Sequence, residues 1–256
     1  MTSARRVKTV TMGQSVAFIS GKGGTGKTAL TAGVGSCLAS LGARVVCIDA
    51  DFGLRNLDLV LGLAETMPFD LSDILMRDTP VSDALAKHPN IDNLHFIAAP
   101  LHSQPVDEDR LKLLIQALCT QFDFVLVDVA SGLGENFSRV VRCCDRAVVV
   151  TLPETASLRD AVITAQTLDN LGLSENKLVL NRVGSHVIRQ KYYPNADDAM
   201  DATGLPLLGV VPDDLKVSLW GNRGISLILM ERTGAARAYL NIARRMMGNK
   251  VPVMKF

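Results

Sequence analysis

Nine residues near the start of the chain have the composition of a phosphate-binding loop. Residues 20–28 read Ser-Gly-Lys-Gly-Gly-Thr-Gly-Lys-Thr, and from Gly21 to Thr28 they satisfy the pattern G-x-x-x-x-G-K-[ST]. The glycines permit backbone angles that side chains forbid, so successive N–H groups can converge on phosphate oxygens at a helix N-terminus. Lys27 is expected to reach the β- and γ-phosphates, and Thr28 to coordinate Mg²⁺. The residues expected to contact nucleotide are Gly21, Lys22, Gly23, Gly24, Thr25, Gly26, Lys27, Thr28 and Ala29.

Three carboxylates follow apolar runs that predict buried strands. Asp49 and Asp51 lie in Ile-Asp-Ala-Asp at the end of one run, and Asp128 ends the run 124–127. A single Asp after a strand is a turn or helix N-cap residue about as often as it is a metal-binding residue. Ligands of open α/β sheets bind beyond the carboxyl ends of the strands, so three such residues in register with a phosphate loop favour Mg²⁺ chemistry.

Short apolar runs alternate with helical patterns along the whole chain. Predicted strands are 16–20, 44–49, 94–98, 124–128, 147–151, 177–181 and 207–211, and helical patterns include 27–41, 107–121, 157–171 and 234–247. This alternation is typical of a doubly wound α/β domain, a mostly parallel sheet of about seven or eight strands with helices on both faces. We expect residues 1–13 to be a flexible N-terminal extension and 14–256 to form a single domain that contains the phosphate-binding loop (P-loop).

Composition excludes several classes of protein. Lys and Arg number 27 and Asp and Glu number 26, so the formal net charge of +1 gives no global argument for nucleic-acid binding. Hydrophobic residues make up 48% of the chain, but no apolar stretch reaches the 18 residues that suggest a membrane span. Arg5, Arg6 and Lys8 precede no apolar signal region, and Met12 is an alternative start. Five cysteines without C-x-x-C predict buried, reduced thiols in a cytoplasmic protein.

The second lysine of the loop, Lys22, has no role in an ordinary phosphate loop. A solvated surface lysine is the plain alternative, but Ser-Gly-Lys-Gly-Gly-Thr-Gly-Lys-Thr resembles the deviant Walker A motif of the MinD/ParA family of ATPases. The resemblance implies an ATPase that uses ATP and Mg²⁺, and a homodimer, formed with ATP, in which Lys22 crosses the interface to the partner's phosphates. It covers about residues 14–252.

The segment after the second predicted strand extends this resemblance. Residues 49–58 are similar to the D-x-D-x-G-L-R-N-L-D switch segment of the MinD-type, septum-site-determining branch. By that resemblance Asp51 orients the attacking water, Asn56 supports it, and Asp49 with Asp128 completes the outer shell of Mg²⁺. Positioning describes Asp51 better than base catalysis, because a carboxylate of ordinary pKa is a weak base.

Two later segments match positions that line the adenine pocket in the family. These positions are Asn181 and Arg182, which end a predicted strand, and Pro212 in Val-Val-Pro-Asp-Asp. An Asn after a strand is also a common turn residue, so the assignment to adenine depends on the order of the motifs.

The family resemblance implies a slow ATPase that a protein partner stimulates and that acts in cell-division-site selection. Alternatives are a ParA-like partition ATPase, a flagellar-number regulator and, disfavoured by the missing C-x-x-C, an iron–sulfur carrier. MinD-type proteins attach to membranes through a basic amphipathic tail, and the sequence up to Phe256 shows no such pattern. We therefore expect no membrane attachment, and peripheral association is kept as the alternative. The pattern over 234–247 predicts core packing.

Overall fold

The computed structural model describes residues 12–64, 68–184 and 195–253. Arg5, Arg6, Lys8 and the last three residues lie outside this range. In the described part of the chain the strands are β1 Gln14–Ile19, β2 Val45–Ala50, β3 Ala86–Lys87, β4 Leu94–Ile97, β5 Phe124–Val129, β6 Arg146–Thr151, β7 Lys177–Val183 and β8 Leu207–Pro212.

These strands form one sheet in the order β3-β4-β2-β5-β1-β6-β7-β8. All neighbours pair in parallel except β3 and β4, which are antiparallel. The doubly wound α/β fold is therefore confirmed. The seven predicted strands are present within one or two residues of their expected bounds, and β3 is an eighth strand that the sequence analysis did not predict.

The helices described are α1 Lys27–Ser40, α2 Leu57–Leu61, α3 Leu71–Arg77, α4 Val81–Ala84, α5 Glu108–Gln121, α6 Glu135–Arg142, α7 Thr155–Asn170, α8 Ala196–Thr203, α9 Leu215–Gly221, α10 Leu227–Met230 and α11 Gly234–Met246. The helices cover both faces of the sheet. Residues along each strand point alternately to the two sides, so each face carries side chains that pack against helices. In β1, Ala17 and Ile19 join a core with α3, α5, α6, α7 and α8, while Val16 and Phe18 join a core with α1, α2, α10 and α11. Strand β1 is consequently apolar on both faces.

Helix α11 packs in the core, as the sequence predicted. Ala236 and Ala243 are fully buried, and α11 contacts both α1 and β8. Gly33 of α1 makes this close packing possible, because a Cβ there would stand 2.3 Å from a ring carbon of Tyr239. The apolar face of α11 is thus occupied within the domain.

All five cysteines are unpaired and buried, as predicted. Burial raises the pKa of the Cys119 thiol to about 11 and that of the Cys37 thiol to about 12, which keeps them protonated and unreactive. Among the helices in the described ranges, none is long and apolar enough to cross a bilayer.

Candidate nucleotide-binding site

The glycine-rich loop runs from the end of β1 to the start of α1 and is held from two sides. Gly24 and Gly26 have φ of 80° and 82°, left-handed conformations that favour glycine. A Cβ at Gly26 would stand 2.5 Å from the Asn181 amide nitrogen, and one at Gly21 would stand 2.8 Å from the Asp160 carbonyl oxygen of α7. The loop is therefore packed against β7 and α7 in a shape that only these glycines allow.

Lys27 and Thr28, at the start of α1, both contact Asp128 at the end of β5. The Lys27 Nζ lies 2.7 Å from Asp128 Oδ1, and the Thr28 hydroxyl donates to Asp128 Oδ2 at 2.7 Å. The Thr31 hydroxyl, one turn further along α1, lies 3.0 Å from the Lys27 carbonyl oxygen and 3.1 Å from Oδ1, so these two acceptors share its single hydrogen. Lys27 and Asp128 are 6% and 1% exposed, so this is a buried ion pair supported by two hydroxyls.

Asp49 lies beside Asp128, because the two residues are register partners on β2 and β5. Asp49 is fully buried, and its oxygens accept hydrogen bonds from the backbone N–H groups of Asp51 at 2.9 Å and Leu57 at 3.0 Å. Burial, and secondarily the charge of Asp128, raises the pKa of Asp49 to about 7. Asp49 therefore shapes the loop that follows β2, a role that the sequence analysis did not assign to it.

Asp51 begins a tight turn at the carboxyl edge of the sheet. Its carbonyl accepts hydrogen bonds from the N–H groups of Leu54 and Arg55, and Arg55 has a φ of 43°. The guanidinium of Arg55 is fixed by Asp58 at 2.6 Å. Among the described residues no hydrogen bond or ion pair engages the Asp51 carboxylate, and partial burial raises its pKa. Its side chain is available to a ligand.

Asn56 directly precedes α2 and is exposed. Its side chain makes no cap hydrogen bond to the helix. The structure thus places Asn56 on the same loop as Asp51, and the proposed support of the attacking water remains a prediction.

Asn181 lies at the loop and not at a distance from it. Its Nδ2 donates to the carbonyl of Thr25 at 2.7 Å, and the side chain is buried. Arg182 follows with a φ of 53°, and its guanidinium pairs with Asp213 at 3.3 Å beside Pro212, the last residue of β8. The three residues expected at the adenine pocket therefore lie on the adjacent strands β7 and β8.

Lys22 and Ala29 occupy different surroundings. Lys22 is exposed, and no ion pair or hydrogen bond engages its ammonium within the described ranges. Ala29 lies inside α1, as expected, where a small side chain suffices. The two lysines of the loop thus differ: Lys27 is buried and paired, and Lys22 extends into solvent.

Three contacts of the site were missed by the sequence analysis. Thr31 bonds to Asp128, Thr164 of α7 lies against Gly21, and the Ser131 hydroxyl would be 3.6 Å from a Cβ at Gly23. Thr31 carries a detectable signal, since it stands one helical turn after Lys27 and so faces the same side of α1. The other two arise from tertiary packing.

The residues present fit a Mg²⁺-bound nucleotide. The Thr28 hydroxyl donates its hydrogen to Asp128, which leaves a lone pair on the Thr28 oxygen for a cation. Asp49 and Asp51 add carboxylates at the same carboxyl edge of the sheet. The left-handed conformations of Gly24 and Gly26 allow loop N–H groups to converge on an anion at the start of α1. Fold and site together define a P-loop nucleoside triphosphatase.

Comparison with known proteins narrows this class. Residues 16–228 match the CobQ/CobB/MinD/ParA nucleotide binding domain. The septum site-determining protein MinD of Synechocystis is 34% identical over 248 residues, which cover 96% of this chain and 93% of that protein. The chain belongs to the MinD/ParA family of nucleotide-binding proteins.

Solved structures agree with this assignment. The MinC:MinD cell division protein complex of Aquifex aeolicus contains a chain that superposes with a TM-score of 0.88 at 31% identity, covering 95% of this chain and 99% of that one. MinD of Pyrococcus horikoshii complexed with Mg-ADP gives a TM-score of 0.82 at 28% identity, covering 92% and 96%. This chain is accordingly an ATPase of the family, with ATP and Mg²⁺ as its cofactors.

Proposed function

We propose that this protein is a MinD-type switch in division-site placement, which dimerises around two Mg-ATP and resets by hydrolysis. The observation that carries the proposal is the exposed, unpaired Lys22 in a loop whose other lysine is buried against Asp128. An ammonium beside a phosphate site that has no hydrogen bond or ion pair to the described residues is suited to a contact across an interface. The relatives that match nearly the whole chain are septum site-determining proteins.

In the proposed reaction, water attacks the γ-phosphorus and the bond to the β,γ-bridging oxygen breaks, so that ADP and inorganic phosphate are formed and the proton lost by the water is released to solvent. Lys27 would neutralise the transferring phosphoryl group, and Thr28 with Asp128 would hold the cation, which supplies further positive charge to the phosphates. Asp51, with its unengaged carboxylate, orients the water by accepting its hydrogen bond, and Asn56 supports that position. Asn181, Arg182 and Pro212 border the base.

The proposal includes a protein partner that stimulates hydrolysis. A solved relative was determined as a MinC:MinD complex, which supports partner binding by this type of protein. Sedimentation with anionic liposomes tests binding to membrane surfaces, and sedimentation with plasmid DNA tests nucleic-acid binding, which we do not expect. Each assay is carried out with ATP and with ADP. We expect the protein to remain in the supernatant with DNA in both nucleotide states.

The dimer is tested by replacing Lys22 with Ala and measuring mass by light scattering with Mg-ATP. We expect the parental protein to dimerise and Lys22→Ala to stay monomeric while its ATP affinity changes little. Lys112→Ala, which removes an exposed lysine from α5, is the matched control and should dimerise normally. Dimerisation of Lys22→Ala at the parental ATP concentration would refute the trans contact.

The role of Asp51 is tested by comparing binding with turnover. Asp51→Ala keeps Lys27, Thr28 and the loop amides, so we expect it to bind ATP, to hydrolyse it at least tenfold more slowly and to accumulate as dimer. Lys27→Ala should lose ATP binding itself. Hydrolysis by Asp51→Ala at the parental rate would exclude water positioning by this residue.

A further inference from the structure

A second cleft lies at the amino ends of the strands, at the opposite edge of the sheet from the glycine-rich loop. It is formed where β1, β6, β7 and β8 begin and where α11 ends, and it is a small cleft of about 40 Å³ that opens to solvent. Three cations and one carboxylate line it, namely Arg146, Lys177, Arg245 and Glu175. We call this the arginine cleft.

Arg245 enters the cleft from α11 with one N–H group unpaired. Its Nη1 donates to the Leu208 carbonyl at 2.6 Å and its Nε to the Val251 carbonyl at 2.9 Å. Its Nη2 is buried and has no hydrogen-bond partner among the described residues. Burial lowers the pKa of this guanidinium.

Arg146 lines the same cleft from the first residue of β6, and it too has a buried N–H without a partner. Its Nη2 pairs with Glu175 at 3.1 Å, but its Nε is buried and unbonded in the part of the chain that the structure describes. Glu175 is 69% exposed, so it lies at the mouth of the cleft and leaves the inner end positive. Two unpaired guanidinium N–H groups from different elements thus line one cleft.

Each buried N–H of a charged group that lacks an acceptor is costly, and an anion that reached the inner end of the cleft would offset that cost. Arginine presents planar N–H donors that match phosphate oxygens. Three cations against one carboxylate leave an excess of two positive charges, which matches a phosphate group at neutral pH. We propose that the arginine cleft binds a phosphate group, either free inorganic phosphate or the phosphate of a small ester, independently of the nucleotide site.

The test is calorimetric titration at constant ionic strength, with the nucleotide site filled by Mg²⁺ and a non-hydrolysable ATP analogue. Filling that site prevents phosphate from binding the glycine-rich loop. One arm uses inorganic phosphate and the other glycerol 3-phosphate, which distinguishes the free anion from an esterified one. We expect saturable binding of one equivalent in at least one arm.

Arg146→Gln and Arg245→Gln should each weaken this binding at least about tenfold, because each removes a charge-assisted hydrogen bond. Arg244→Gln, which removes an exposed cation from the neighbouring position of α11, should change the Kd by less than about twofold. Arg146→Gln keeps the proposal testable if Arg245→Gln unfolds through loss of its bonds to Leu208 and Val251. Absence of binding in both arms, or an unchanged Kd in Arg146→Gln, would overturn the proposal, and neither result would bear on the ATPase assignment.

Discussion

Removing the buried cation at Lys27 should destabilise the nucleotide-free protein as well as abolish ATP binding. In Lys27→Met the methylene chain is largely kept, but Asp128 becomes a buried carboxylate without its 2.7 Å partner. Breaking a buried ion pair by removing one partner costs about 3–5 kcal/mol. The Thr28 and Thr31 hydroxyls still donate to Asp128, so we expect the lower end, about 3 kcal/mol. For a domain of this size that lowers Tm by about 6–12 °C.

A double variant separates the unpaired charge from loss of packing. In Lys27→Met with Asp128→Asn neither of these two positions carries a buried charge, so at least half of the lost stability should return, as a favourable coupling energy in the double-mutant cycle. The measurement is thermal and urea unfolding followed by circular dichroism, without nucleotide or Mg²⁺. If Lys27→Met unfolds within about 1 °C of the parental protein, Lys27 and Asp128 do not form a buried pair in the free protein, and the reasoning fails.

Three further changes test other parts of the fold. Gly33→Ala places a Cβ where the Tyr239 ring lies, so urea unfolding should show a loss of about 1–3 kcal/mol, whereas Gly221→Ala, in α9 with its nearest neighbour 3.9 Å from the added Cβ, should be neutral or slightly stabilising; equal effects would contradict the packing argument. Asp49 has a pKa of about 7 in the folded protein and 3.8 ordinarily, so between about pH 4 and 7 the folded protein holds a proton that the unfolded chain has lost, and the contribution of Asp49 to stability declines as pH rises across that window. The free energy of unfolding of the parental protein, relative to that of Asp49→Asn, should therefore fall as pH rises from about 4 to 7, and a difference that does not change with pH would count against the raised pKa. Asp214 accepts hydrogen bonds from the first turns of both α9 and α11, so Asp214→Ala should cost about 1–2 kcal/mol in the same unfolding assay, and a loss below about 0.3 kcal/mol would show that these caps are weak.

The sheet and the glycine-rich loop could be predicted from the sequence because each is encoded by a local pattern of residues. Buried parallel strands are continuous apolar runs, and the glycine-rich loop is a contiguous motif between a strand and a helix. The two-residue strand β3 and the short helices α2, α4, α9 and α10 carry too few residues for a periodicity to appear. Their positions depend on tertiary packing.

The site was predictable in its residue types but not in all of its contacts. The proximity of Asp49 to Asp128 followed from strand ends meeting at one edge of the sheet. That Asp49 uses its oxygens on the backbone of the next loop, and that Asn181 bonds to Thr25, are pairings set by three-dimensional geometry. No local pattern specifies which acceptor a buried amide will find.

The hydrogen bond between Asn181 and Thr25 joins two parts of the chain that are synthesised at different times. The glycine-rich loop is synthesised early, but the side chain that fixes its Thr25 carbonyl comes 156 residues later. At about 5–20 residues per second a ribosome needs roughly 8–30 s to cover that distance. During this time the nascent chain has the loop sequence without its support from β7, and β6 and β7 must pair before the loop is held in place. The full set of contacts that hold the loop therefore exists only after the second half of the chain has been made.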